Sequence, residues 1–347
     1  MNTADKSAPR LTAMCSTGGC AAKYDPNMLG LLIGAASTGS VPGLLVGLAS
    51  PDDAAVLSLG DESALVFTID FFPPVVDDPH SYGHIAANNA LGDIFAMNGE
   101  PRIALAVAGI PADLPAEVAR DIVDGARVFC EAEGAVLAGG HTITSAEPLF
   151  GLAAVGFAHP DTLWRKSGAR PGDVLILTKA LGSGIAATAH RRGEIDADVF
   201  DRAVAVMMES NGSAARVLRR FEPSAVTDIT GFGLLGHAAE VAAASGALLA
   251  IDLPALPVID GVLGLAHRGV RTSAHDRNRD FIADSVLGLS AAPDHLLSIA
   301  LDPQTAGGLL IAVPQSQAEG LLTDLRAANV SAFRIGEVRR GVGITLA

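Results

Sequence analysis

Apolar residues along this chain fall into two rhythms, short runs that end on turn-forming residues and longer stretches with helical spacing, so strands and helices alternate along most of its length. Residues 26–48 alternate short apolar runs with Gly and Ser. They lead into Pro51-Asp52-Asp53-Ala54-Ala55-Val56-Leu57, where two acids stand at the start of a strand-like run. A second strand over 64–69 ends on Asp70, and Phe71-Phe72-Pro73-Pro74 is expected to leave the sheet. The spacing predicts a helix over 81–97 opened by Ser81, with Asn89 and Asp93 four apart on one face. Residues 101–109 read as a buried strand and 114–133 as an amphipathic helix. Residues 135–157 read as two strands around the glycine-rich turn Ala138-Gly139-Gly140-His141-Thr142.

Pro, Gly and charges break this rhythm over 160–173, which marks a boundary between a first domain, 26–160, and a second, 171–347. The second domain opens with a strand over 174–178 and a glycine turn at Leu181-Gly182-Ser183-Gly184, followed by two helices, the latter over 203–221. A short strand then ends at Asp228, Gly231-Phe232-Gly233 forms a turn, and an Ala-rich helix starts near Leu234. Strands over 248–253 and 309–313, a polar loop His275-Asp276-Arg277-Asn278 and a turn from Asp302 to Gly308 complete the chain. Before all of this, Ser16-Thr17-Gly18-Gly19-Cys20-Ala21-Ala22-Lys23 has no apolar periodicity on either side. It reads as mobile backbone, neither helix nor strand, within an arm of residues 1–25.

Composition narrows the class. At 347 residues, 49% hydrophobic but with one Trp and two Tyr, the chain suits an Ala/Val/Leu-packed α/β or α+β enzyme rather than an aromatic-studded nucleic-acid surface. A net charge of -14 also argues against a nucleic-acid partner, while leaving room for small anions screened by metal ions or local basic groups. Residues 1–11 are polar, which speaks against a signal peptide, and the longer apolar runs are broken before membrane-spanning length. Three cysteines, Cys15, Cys20 and Cys130, make no disulfide framework and fit a reducing, cytoplasmic location; Cys130 follows an apolar helical pattern as a core thiol.

Candidate chemistry gathers at both ends of this pattern. Cys20 stands three residues before Lys23, a soft-atom handle or nucleophile beside a phosphate-seeking cation, or else part of an idle tail. Asp53, Asp70, Asp93 and Asp228 come from four separate places, each beside a strand end, a glycine turn or a helix start. Brought together, four carboxylates repel unless divalent cations lie between them, and hard oxygen donors without His-Cys spacing favour Mg²⁺, which usually arrives with phosphates. Gly139-Gly140-His141-Thr142 could present backbone N–H groups to an anion or serve only as a hairpin turn. His237 reads as a hydrogen-bonding residue of the helix surface or core. The residues alone thus point to a Mg²⁺-nucleotide site without a Walker loop, over which a Cys/Lys arm closes.

Seven segments, Gly19-Cys20-Ala21-Ala22-Lys23, Asp52-Asp53-Ala54-Ala55-Val56, Thr68-Ile69-Asp70-Phe71-Phe72, the run from Asn89 to Met97, Leu137-Ala138-Gly139-Gly140-His141-Thr142, the run from Thr227 to His237 and that from Asp302 to Leu309, together resemble selenophosphate synthetase. The acidic motifs are shared with the wider aminoimidazole ribonucleotide synthetase-like superfamily; the Cys-x-x-Lys arm is what makes the combination specific. The resemblance implies a two-domain α+β fold and a homodimer with a shared β-barrel built from the amino-terminal domains. It implies ATP-dependent synthesis of selenophosphate from selenide and water, with AMP and orthophosphate released, serving selenocysteine or selenouridine pathways. Asp53, Asp93 and Asp228 would hold Mg²⁺. Asp70, Asn89, Asp93 and Lys23 would bind the nucleotide, and Gly139, Gly140, His141 and Thr142 would reach the partner's nucleotide. Lys23 would neutralise the transferred phosphoryl group and Cys20 would guide selenide. Ala22 stands where many relatives carry a second cysteine, which leaves Cys20 to act alone. A monovalent cation and a selenide-delivery protein stay open.

Overall fold

The computed structural model describes residues 9–23 and 41–347, so the readings for residues 1–8 and 24–40 lie outside the described residues. The first half is ordered around strands β1 (Leu44–Val46), β2 (Ala55–Ser58) and β3 (Ala64–Phe72), helix α1 (Pro79–Ala96), β4 (Glu100–Ile110), α2 (Ala116–Ala132), β5 (Val136–Thr144) and β6 (Leu149–Ala158). These strands form one sheet in the order β1-β2-β3-β6-β4-β5. Period-two alternation in β3 turns Val66, Thr68, Asp70 and Phe72 inward and leaves Phe67, Ile69 and Phe71 outward. The inward face is covered by α1, whose Ala-rich surface is buried almost all round. Two glycines set how closely α1 meets α2: a β-carbon at Gly83 would lie 1.8 Å from the Ile122 carbonyl oxygen, and one at Gly125 2.0 Å from that of His80.

Several local expectations change here. β3 does not stop at Asp70, because Asp70, Phe71 and Phe72 continue to pair with Leu152, Gly151 and Phe150, and the chain turns away only at Pro73. The cap of α1 is Asp78, whose carboxylate accepts the Ser81 N–H at 2.7 Å, so Ser81 is a first-turn residue. Strand β4 exposes Ile103 and Leu105 rather than being buried on both faces. Gly139 to Thr142 form no turn; they lie within β5, an edge strand parallel to β4, while β6 pairs on the other side of β4. The glycines serve that pairing: the register shifts opposite Gly139, and a β-carbon on Gly140 would fall 2.2 Å from the Ala106 carbonyl.

The second half contains β7 (Asp173–Thr178), α3 (Ser183–Arg192), α4 (Ala197–Met208), α5 (Asn211–Leu218), β8 (Ala225–Asp228), α6 (Gly233–Ser245), β9 (Leu248–Ile251), α7 (Val262–His267), α8 (His275–Ile282), β10 (Val286–Leu287), α9 (Asp294–Ala300), β11 (Leu309–Pro314), α10 (Gln315–Ala327), β12 (Ala332–Arg339) and β13 (Gly343–Leu346). The sheet runs β10-β13-β9-β12-β7-β11-β8, and its interior strands β7 and β11 are almost wholly buried. Both halves are thus α+β, each a mixed sheet with helices. The single helix expected over 203–221 is two, broken at Glu209-Ser210, where the Ser210 hydroxyl accepts the Gly212 N–H and restarts the helix as α5. His275 to Asn278 are the first turn of α8 rather than a loop, because Asn278 is buried and donates to the carbonyls of Gly231 and Leu301. No helix among the described residues is long and apolar enough to cross a membrane.

Candidate active site

Strand β2, strand β8 and helix α1 converge on one point. Asp53 just precedes β2, Asp228 ends β8 and Asp93 lies on the last turns of α1. One carboxylate oxygen from each lies within 4.8 Å of the other two. Room for this comes from Gly92, next to Asp93 on α1: a β-carbon there would stand 2.6 Å from Asp228 Oδ2. The three acids sit in unlike settings. Asp53 Oδ1 accepts from Thr227 Oγ1 at 2.8 Å and faces Lys166 Nζ at 3.0 Å, while Oδ2 is buried without a hydrogen-bond partner. Asp93 accepts from Thr68 Oγ1 on β3. Burial first, and then the Asp53 charge, push Asp228 up to about 7; burial and the charges of Asp228 and Asp53 hold Asp93 well above the usual carboxylate range. A buried, unpaired carboxylate oxygen among acids that resist ionisation is a donor set short of a cation, and all its donors are hard oxygens, so the residues fit Mg²⁺.

Asp70 belongs to an adjoining group, not to the trio. Its Oδ2 accepts from Lys23 Nζ at 2.8 Å and from Asn89 Nδ2 at 2.6 Å. Asn89 Oδ1 in turn accepts the Ala306 N–H at 2.8 Å and faces Cys20 Sγ at 3.3 Å. Burial lowers the Lys23 ammonium, but the neighbouring acidic groups, Asp70 foremost, together outweigh it and the net shift is upward, so this lysine is a fixed positive charge.

The arm is therefore seated. Its described residues form two short 3-10 turns, Leu11–Met14 and Gly19–Ala22, where backbone with neither helix nor strand was expected. Tertiary contacts impose them: Thr12 bonds Asp77 through both its N–H and its hydroxyl, Gly19 N–H donates to the Pro73 carbonyl at 2.9 Å, and Cys20 N–H donates to Thr305 Oγ1 at 3.1 Å. Gly19 has φ +60°, and a β-carbon on it would strike Thr305 Oγ1 at 2.4 Å, so this close approach needs glycine. Cys20 is fully buried, and burial pushes its thiol up to about 12 despite the nearby Lys23. Cys15 is a buried free thiol, as is Cys130 on α2.

Gly139, Gly140, His141 and Thr142 are not brought to this cluster. They stand exposed on β5, with β4 and β6 between them and the β3 residues Thr68 and Asp70. Conversely, Lys166, Glu240 and Lys179 were not singled out from sequence, whereas His237 is the buried hydrogen-bonding residue it was read as. Lys166, in the segment between the two sheets, bridges Asp53 and Glu240 at 3.0 Å each, and His237 Nδ1 lies 3.0 Å from the same Glu240 oxygen. Asp53 and Glu240 outweigh the burial of Lys166 and raise it; Lys166 and His237 outweigh the burial of Glu240 and bring it down to about 2. Lys179, at φ +67°, sends its ammonium to the Glu209 and Ala306 carbonyls at 2.6 and 2.7 Å, with burial lowering it to about 8. Thr227 and Thr305 lay inside motifs that sequence did mark; Lys166 carried no signal beyond its place in a charged linker.

Residues 51–158 match the family model for the AIR synthase related protein, N-terminal domain, and residues 170–347 that for its C-terminal domain. The chain is 42% identical over 334 residues to a selenide, water dikinase of Myxococcus xanthus, covering 96% of this chain and 95% of that one. It is 40% identical over 326 residues to selenide, water dikinase 2 of Peptoclostridium acidaminophilum, covering 94% of each. Among solved structures, AaThiL complexed with AMPPCP and TMP shares the fold with a TM-score of 0.67 and 18% identity, over 92% of this chain and 91% of that one.

Proposed function

Since the chain belongs to the AIR synthase related family and, within it, to the selenide, water dikinases, we propose that it makes selenophosphate from ATP, selenide and water at the carboxylate cluster, releasing AMP and orthophosphate. The observation that carries the siting is the trio Asp53, Asp93 and Asp228, with one buried carboxylate oxygen lacking any partner. These three residues would hold Mg²⁺, which when bound supplies positive charge to the phosphates of ATP. The rest falls to side chains of the chain itself. Lys23, held by Asp70, places a permanent cation where phosphoryl charge develops. Asn89 orients Asp70 with its amide and Cys20 and the Ala306 N–H with its carbonyl, so one residue aligns the nucleotide side and the thiol side. Cys20 remains a thiol while the arm is seated, which suits it to donate S–H to an incoming selenide anion rather than to attack as thiolate.

The outward face of the first sheet carries Phe67, Ile69, Phe71, Ile103 and Leu105, each between 44% and 56% exposed. A contiguous apolar face of this kind marks an interaction surface, and a second copy of the chain forming a shared barrel would cover it. In that dimer the exposed β5 segment Gly139 to Thr142 is free to serve the partner's nucleotide. Phosphorus NMR of products from ATP, with and without selenide under anaerobic conditions, tests the activity. Selenide-dependent AMP and selenophosphate are expected; ATP turnover indifferent to selenide would overturn the reading.

A further inference from the structure

Lys166 lies in the segment joining the two sheets, yet its ammonium is inserted beside the acid trio, with the side chain only 11% exposed. Burying a lysine between two carboxylates is costly and adds little to stability compared with an apolar residue, so the arrangement needs another reason. That reason lies in how the two oxygens of Asp53 differ. Oδ1 is held by Lys166 at 3.0 Å and Thr227 Oγ1 at 2.8 Å, whereas Oδ2 is buried and unpartnered. Two donors on one oxygen fix the plane of the carboxylate and leave the other oxygen uncommitted. Lys166 is itself fixed: Glu240 Oε2 holds it at 3.0 Å, His237 Nδ1 lies 3.0 Å from that oxygen, and His237 Nε2 accepts the Thr230 N–H at 3.2 Å. Thr230 stands two residues beyond Asp228 and is followed by Gly231, whose backbone packs against the Lys23 side chain.

We propose that Lys166, aligned by Glu240 and His237, is a positioning residue that presents Asp53 Oδ2 to the divalent cation. This rests on the metal reading of Asp53, Asp93 and Asp228. Outer residues of this kind typically change metal affinity by 10- to 100-fold.

The test is Mn²⁺ binding to the folded protein without nucleotide, followed by electron paramagnetic resonance, in wild type, Lys166→Met, Lys166→Arg, Glu240→Gln and Asp93→Asn, with thermal melting of each metal-free protein. Lys166→Met is expected to weaken Mn²⁺ binding by roughly tenfold or more, with Lys166→Arg recovering part and Glu240→Gln losing a smaller factor. A purely structural lysine would lower the melting temperature and leave Mn²⁺ affinity unchanged. Wild-type affinity in Lys166→Met, or tighter affinity from relief of a competing charge, overturns the proposal while Asp93→Asn still loses the metal. Should Lys166→Met fail to fold, unchanged affinity in Glu240→Gln overturns it. If wild type and Asp93→Asn bind Mn²⁺ equally, the metal reading itself falls, and the proposal with it.

Discussion

A single carboxylate at residue 93 faces two further acids and one threonine hydroxyl. Asp93→Asn is expected to lower kcat by about a hundredfold or more while leaving the fold intact, measured as selenide-dependent AMP formation and circular dichroism. Cys20 and Cys130 separate cleanly at this scale. Cys20→Ser is expected to abolish selenide-dependent turnover with little change in melting temperature, because Asn89 Oδ1, 3.3 Å from Sγ, is placed to accept the serine hydroxyl. Cys130→Ser, which places a hydroxyl in a fully buried position of α2, should cost about 1–3 kcal/mol in urea unfolding and keep activity. Sequence marked Cys20, Lys23 and all four acids because their residue types are unusual where they stand. Asp70 joined Lys23 and Asn89 instead of the trio: Thr68, two residues earlier on the same inward face of β3, is the residue that bonds Asp93.

Among elements, the arm shows how far local pattern reaches. Gly18 and Gly19 read as mobile backbone, yet the Pro73 carbonyl, Thr305 and Asp77 hold the segment in two 3-10 turns. Its seat depends on Gly231, where a β-carbon would lie 2.7 Å from Lys23 Cδ and 3.0 Å from the Cys20 carbonyl oxygen. Gly231→Ala is therefore expected to unseat the arm: iodoacetamide labelling of Cys20, slow in wild type because the thiol is buried and protonated, should accelerate several-fold. Unchanged labelling with unchanged kcat would show that Lys23 simply swings aside. Segment 203–221 was legible as helical but not as two helices, because the break follows from a hydroxyl reaching one particular N–H. Gly139 and Gly140 carried a true glycine signal with the wrong meaning, since close approach to β4 and a turn ask for the same residue.

At the scale of the molecule, pH and assembly are the useful probes. Asp302 is buried at the start of the loop that carries Thr305, and burial pushes it up to about 8 although the N–H groups of Ile185 and Gly184 and the Gln304 amide favour its charged form. Its unfolded value is near 3.8, so between these limits the folded state keeps a proton the unfolded chain has released. The stability it contributes is full below about pH 4 and is lost as pH rises toward 8, by up to about 1.4 kcal/mol per pH unit. Asp302→Asn is expected to flatten that slope, read from urea unfolding of metal-free protein at pH 5 and pH 8. For the proposed assembly, wild type is expected to be a dimer in light scattering and Ile69→Lys on the exposed sheet face a monomer, with loss of activity if the partner's β5 completes the site. The sequence by itself determined the chemistry offered and the alternation of elements, because residue types and spacing are local properties. It also carried the family, through motifs kept in order. Only the tertiary structure brought one carboxylate oxygen each of Asp53, Asp93 and Asp228 within 4.8 Å of one another, seated the arm, and set Lys166 against Asp53. Those are distances between residues far apart in the chain, which exist only once both sheets and α1 have packed.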